Sequence, residues 1–353
     1  MIPYLAILFL ATISAYWAGK YSSESVNKIT VFLISILLVV YAGLRDRSVG
    51  LDTGGYVNNF KLFKSDPDIT MTTEVGYNML VSLVATFSSN YAVLLSAIAA
   101  IVVTLYLVGI YKVVHNYYIG FFSFIAFGYY TFFFNGARQG IACAICFFSL
   151  VFLLKRKALP YYFLVALAAL FHHSAIIAAP LYFLAQPKIG TKQWLWFLFL
   201  IVASVFSLKF FVSLAASLVD DRYASYSQEG AGGGEVLTLF LVCQGLILYW
   251  LRRVAVDSDK YSRLINIYIL GLAPAIATIA LSVNPSGILR LTQYFSHVSI
   301  IMWPLIFSGL RLKSNKIPVG LMFFLVGVLY FSLATSRFSD LVPYSLNSEI
   351  FGE

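Results

Sequence analysis

The stretch KRKALPYYFLVALAALFHHSAIIAAPLYFLAQPK, residues 155–188, decides how this chain is threaded. Its apolar interior could cross a bilayer once, but basic residues close both ends. Lys and Arg next to apolar segments collect on the cytoplasmic side. A single crossing would put Lys155-Arg156-Lys157 and Lys188 on opposite sides. A broken hairpin over 158–185, rising to His172 and returning, keeps both on one side. Each limb then has about thirteen residues, roughly 20 Å at the helical rise. The tip therefore stays below the far surface, where an irregular backbone is tolerated only if it lines protein or a wet cavity.

The rest of the chain fits an all-α polytopic membrane protein. Of 353 residues, 60% are hydrophobic and only 11% charged, with a mean hydropathy of +0.85. Apolar runs near 2–18, 29–44, 90–111, 119–134, 138–154, 193–214, 235–251, 264–282, 290–309 and 317–334 give about ten full spans. Residues 75–88 are too short to cross and read as a re-entrant or interfacial segment. The first run lacks a basic n-region, so 2–18 reads as a retained span rather than a signal peptide. The expected organisation is one integral-membrane domain over 1–353. Its outer loops lie at about 45–74 and 215–234, with an outer tail at 335–353. In that arrangement fifteen Lys/Arg and three acids lie inside, while nine Lys/Arg and twelve acids lie outside. The net charge of +9 thus reports topology, not nucleic-acid binding. Cys143, Cys146 and Cys243 all fall inside apolar segments, and Cys143-x-x-Cys146 reads as packing rather than redox chemistry.

Six arginines then face away from the basic side: Arg45, Arg47, Arg138, Arg222, Arg290 and Arg337. They are not topology signals there, and their planar forks match phosphate oxygens. Arg45-Asp-Arg-Ser-Val-Gly-Leu-Asp52-Thr-Gly-Gly-Tyr56, followed by Glu74-Val-Gly-Tyr77, combines arginines and acids beside the membrane surface. Asn135-Gly-Ala-Arg138-Gln139 puts an arginine at a helix start, which is unfavourable for the macrodipole and makes sense if an anion bridges it to the free amides; snorkelling toward headgroups is the alternative. Phe171-His172-His173-Ser174-Ala175 puts a histidine at membrane depth, a functional candidate by default. Adjacent histidines do not converge on one metal, and no Cys or acid nearby completes a set, so no metal is expected. Arg222-Tyr223 lies in the second outer loop, and Arg290-Leu-Thr-Gln-Tyr294-Phe295 opens a late span. No phosphate-binding loop, dinucleotide fingerprint, zinc motif or nucleophile elbow occurs, and no cofactor is implied.

The order of these motifs resembles the EpsG/Wzy-type polysaccharide polymerases, from about residue 41 to Val342-Pro343-Tyr344. The resemblance implies a GT-C-like, metal-independent glycosyltransferase. It would sit in the bacterial inner membrane with its site facing the periplasm, and join undecaprenyl-pyrophosphate-linked repeat units into O-antigen or exopolysaccharide. Donor and acceptor lipid-linked glycans, membrane lipids and a chain-length regulator are the implied partners. Mapped by motif, the site would comprise Arg45, Asp52, Tyr56, Glu74, Arg138, Gln139, His172, Arg290 and Tyr294, with Arg222 a looser match. Pyrophosphate is a good leaving group, so positive charge on it matters more than a strong acid. His172, Glu74 and Asp52 are rival partners for the acceptor hydroxyl. An O-antigen ligase would share these features. A flippase or transporter for lipid-linked sugar is the alternative of another class, although no repeated half is evident.

Overall fold

The structure is a computed structural model. It describes residues 1–69, 72–187, 190–192, 195–199, 202, 234–280, 289–310, 316–347 and 349. Most of the expected span at 193–214, Lys188, and the second outer loop with Arg222 lie outside the described residues.

Among the described residues the protein is built of helices. Ten occur before residue 185: α1 (Ile2–Tyr21), α2 (Glu24–Gly43), α3 (Thr53–Ser65), α4 (Val75–Phe87), α5 (Tyr91–Val113), α6 (Tyr117–Ala126), α7 (Tyr129–Phe132), α8 (Ala137–Leu154), α9 (Ala158–Phe171) and α10 (Leu181–Leu184). Later come Glu235–Leu251, Ser258–Leu270, Leu272–Ala280, Gln293–Ser296, Ser299–Leu310 and Lys316–Leu333. Six described helical stretches are long and apolar enough to cross a membrane: α1, α2, α5, α8, Ser258–Ala280 and Pro318–Phe338. The chain folds into two compact units, residues 1–179 with 313–353, and residues 180–312.

In the first unit α2 packs on α5, α5 on α8, and α8 on α9. α8 is apolar all round and enclosed, as a core helix should be. Its Cys143 and Cys146 are free, buried thiols. α1 and Pro318–Phe338 are the reverse. Leu10, Ile13, Leu321 and Leu325 stay exposed, which suits a lipid-facing surface.

Several elements differ from the sequence reading. The run at 119–134 is not one helix. α6 ends at Ala126, and Gly128 adopts φ 81°, a left-handed conformation that glycine takes without steric cost. The chain then makes one short turn, α7, before α8. The first outer loop is not merely loop, because it carries α3. The run at 264–282 starts earlier, at Ser258, where the Asp257 side chain accepts from the Lys260 amide (3.2 Å) and caps the helix. The run at 290–309 is interrupted, with Gln293–Ser296 and Ser299–Leu310 as separate pieces.

Residues 75–88 form the thirteen-residue α4, short of a crossing. The break expected at His172 is present. α9 stops at His172, whose backbone is extended (φ −158°, ψ 119°), and a tight 3-10 turn follows over His173–Ala178. Tyr161, in the first turn of α9, donates its hydroxyl to the carbonyl of Ala178 at 2.5 Å. The chain has therefore turned back along α9. Within the second unit, Arg263 and Asn266 donate to the carbonyls of Ala185 and Gln186, both at 2.8 Å.

That cross-limb bond is testable. Tyr161→Phe keeps the ring but strands the buried carbonyl of Ala178. It should cost about 1–2 kcal/mol of stability in a thermal melt of the detergent-solubilised protein.

Candidate active site

Glu74 is the residue to start from. It is the N-cap of α4, and its side chain has no solvent exposure. A buried carboxylate must be compensated by charge and hydrogen bonds or it will not stay ionised. Two partners meet it, one at each oxygen. A guanidinium nitrogen of Arg138 donates to Oε2, and Nδ1 of His172 lies 2.9 Å from Oε1. Both partners are partly open, with side chains 17% and 19% exposed. The cluster thus has a buried anion behind and two reactive groups at its mouth.

The backbone that carries Glu74 is tied locally. Its amide donates to Thr72 Oγ1 at 3.1 Å, and Asn78 Nδ2 donates to the Thr72 carbonyl at 2.8 Å. α4 reaches α9 because position 76 is glycine. A Cβ there would lie 3.0 Å from the Leu170 backbone and 3.1 Å from its Cβ. This close approach sets Glu74 against His172, two residues beyond Leu170. Tyr77 is buried, 6.0 Å ring to ring from Tyr56. Tyr56 accepts from the amide of Ala137 at 3.0 Å, and its hydroxyl also faces Arg138. The Glu-x-Gly-Tyr motif therefore supplies an anion, a close packing point and an aromatic support.

Charge follows from this geometry. Burial alone would push the Glu74 carboxyl up. The His172 hydrogen bond and the Arg138 charge more than offset it, holding the group down at about 2. The carboxylate can only accept, so Nδ1 of His172 carries a proton in this contact. A carboxylate that orients a histidine this way also stabilises the imidazolium when it forms.

The other candidates fall in different places. Asp52 is the N-cap of α3, one turn before Tyr56, and Gln139 is buried beside Arg138 in α8. Arg45 lies inside the protein, 1% exposed. It donates to the Ala42 carbonyl and to Thr53 Oγ1, and stacks on Phe134 at 4.2 Å. Burial lowers its guanidinium to about 10, so it is still charged at neutral pH. Arg290 and the fully buried Tyr294 belong to the second unit. Among the described residues no three His, Cys, Asp or Glu side chains form a metal-binding group. Gly76, Thr72, Asn78 and Thr53 were not expected. Gly76 and Thr53 had a signal, their places in the quoted motifs, but Thr72 and Asn78 had none.

Six described apolar helices long enough to cross a membrane define the class, a polytopic helical membrane protein. The chain belongs to the EpsG family, a Wzy-like polymerase family, which it matches over residues 28–346. No curated protein and no solved structure matches it.

Two outcomes check the site's architecture. Gly76→Ala should be mildly destabilising, because Leu170 must yield by only a few tenths of an ångström. Gly76→Val should cost roughly 1–3 kcal/mol as an overpacked contact, measured in the same thermal melt. The depressed Glu74 carboxyl also contributes stability that is fully present above the unfolded value of about 4.3. That contribution is lost as pH falls through about 2. Glu74→Gln should flatten the pH dependence in that acid window, and an unchanged profile would count against the ion pairs.

Proposed function

We propose that this protein is a membrane glycosyltransferase that polymerises repeat units carried on a polyprenyl pyrophosphate, undecaprenyl by family resemblance. The observation that carries the reading is the Glu74 carboxylate shared between Arg138 and His172 at a partly open mouth. Family membership supplies the polymerase class. The excess of Lys/Arg on the opposite side supports a periplasm-facing site.

In this reading the hydroxyl of the incoming unit approaches Nε2 of His172. The hydroxyl oxygen attacks the anomeric carbon of the growing chain, and its proton passes to Nε2. The bond from that carbon to the pyrophosphate oxygen breaks, and the electron pair leaves with the lipid pyrophosphate. Arg138 stabilises the departing charge. Glu74 keeps the imidazole oriented and balances the imidazolium. As the pyrophosphate draws Arg138 toward itself, the carboxylate is left more fully to His172, which raises its basicity when the donor is in place. No metal or strong general acid is required by this chemistry. Arg290 is proposed as a further phosphate ligand, and Arg290→Lys tests it separately.

Purified protein in vesicles with lipid-pyrophosphate-linked repeat units should give a ladder of chain lengths. His172→Ala should lower the rate about a hundredfold or more. His173→Ala, on the exposed neighbour, should change it only a few-fold. Arg138→Lys keeps the charge but loses the planar fork, and should lose about tenfold or more. A single transfer onto a non-lipid-pyrophosphate acceptor would make the protein a ligase. Lipid movement without bond formation would make it a transporter. Near-normal ladders from His172→Gln would remove the base role.

A further inference from the structure

Residues 339–347 run back over the first outer loop and are gripped at every few positions. Asn135 Nδ2 donates to the Ser339 carbonyl at 2.6 Å, and the Gly50 amide donates to the Asp340 carbonyl at 3.0 Å. The Tyr4 hydroxyl reaches the Leu341 carbonyl at 2.8 Å. Tyr344 lies flat on Tyr41, with centroids 4.3 Å apart and planes 9° apart, and donates to the Tyr41 carbonyl at 2.6 Å. The Asp46 amide donates to the Ser345 carbonyl and the Asn347 amide to the Leu44 carbonyl, both at 2.9 Å, so Arg45 and Leu346 form an antiparallel bridge. Asn347 is completely buried.

The loop under this segment leads to the site. Arg45 and Val49 hold Thr53, whose hydroxyl also reaches the Phe134 carbonyl at 3.1 Å. One turn later Tyr56 takes the amide of Ala137, the first residue of α8. Arg138 is the next residue.

We propose that residues 339–347 form an intramolecular clamp that positions the Arg138 end of the site, with Arg45 as its buried anchor. Arg45, Tyr344 and Asn347 are positioning residues: they act through Thr53 and Tyr56 on the start of α8. The effect on activity rests on the polymerase reading. The clamp itself does not.

Hydrogen–deuterium exchange of the full-length protein tests the clamp without any substrate. Tyr344→Ala removes the stacked ring, and Asn347→Pro removes the amide that bonds Leu44. Both should speed exchange about tenfold at Asp46, Gly50 and Ala137, the loss of roughly one net hydrogen bond. The interiors of α5 and α8 should stay protected. Polymerisation should fall roughly ten- to a hundredfold, with weaker binding of polyprenyl pyrophosphate and a melting temperature lowered by only a few degrees. Tyr344→Phe, which keeps the ring on Tyr41, should restore most of the rate. Unchanged exchange at these amides overturns the clamp. A uniform rise across the whole unit also overturns it, because the segment then only stabilises the fold. Faster local exchange with a wild-type rate overturns its role in positioning. If the wild-type protein makes no polymer, the functional reading falls, and the exchange result alone decides the clamp.

Discussion

A carboxylate with no access to water constrains everything around it. Glu74 stays ionised only because Arg138 and His172 each satisfy one of its oxygens, and each must be delivered from a different element. α8 brings the arginine, the broken end of α9 brings the histidine, and α4 brings the acid. Removing either partner would leave a buried charge half-compensated, which is far costlier than losing a surface pair. The same arrangement gives the two partners separate tasks. In the proposed reaction Arg138 is the fixed cation for phosphate and His172 takes the proton.

The helical packing serves that meeting point. The break at His172 ends α9 where α4 passes. Gly76 permits the approach, and the return of the chain to Tyr161 holds the broken end in place. A straight span here would have carried His172 through the bilayer on a regular helix. The irregular backbone is acceptable because it lies against protein.

Much of this outline was legible in the residues. The Lys/Arg clusters flanking 158–185 require a return, and the return puts His172 at a tip. The short apolar run at 75–88 could not be a span. Other features were hidden for physical reasons. Glu74 and His172 are 98 positions apart, and nothing local in the chain says that two rival acceptors are in fact partners. Arg45 beside a membrane surface reads as an anion ligand, whereas its real surroundings, Phe134 and a ring of tyrosines from distant helices, exist only after folding. The glycine at 128 was visible, but whether it would bend a helix or end it depends on packing rather than on propensity. Five of the motifs read from the sequence lie in one unit. The arginine and tyrosine at 290 and 294 belong to the other.

The most direct test is a double-mutant cycle on polymerisation rate with Glu74→Gln, His172→Gln and the pair, using purified protein and lipid-linked repeat units. If Glu74 works by orienting and charging His172, the two act as one device. The double variant should then be about as slow as the slower single variant, a strongly non-additive result. Losses that simply multiply would mean that the two residues act independently, and would contradict the account.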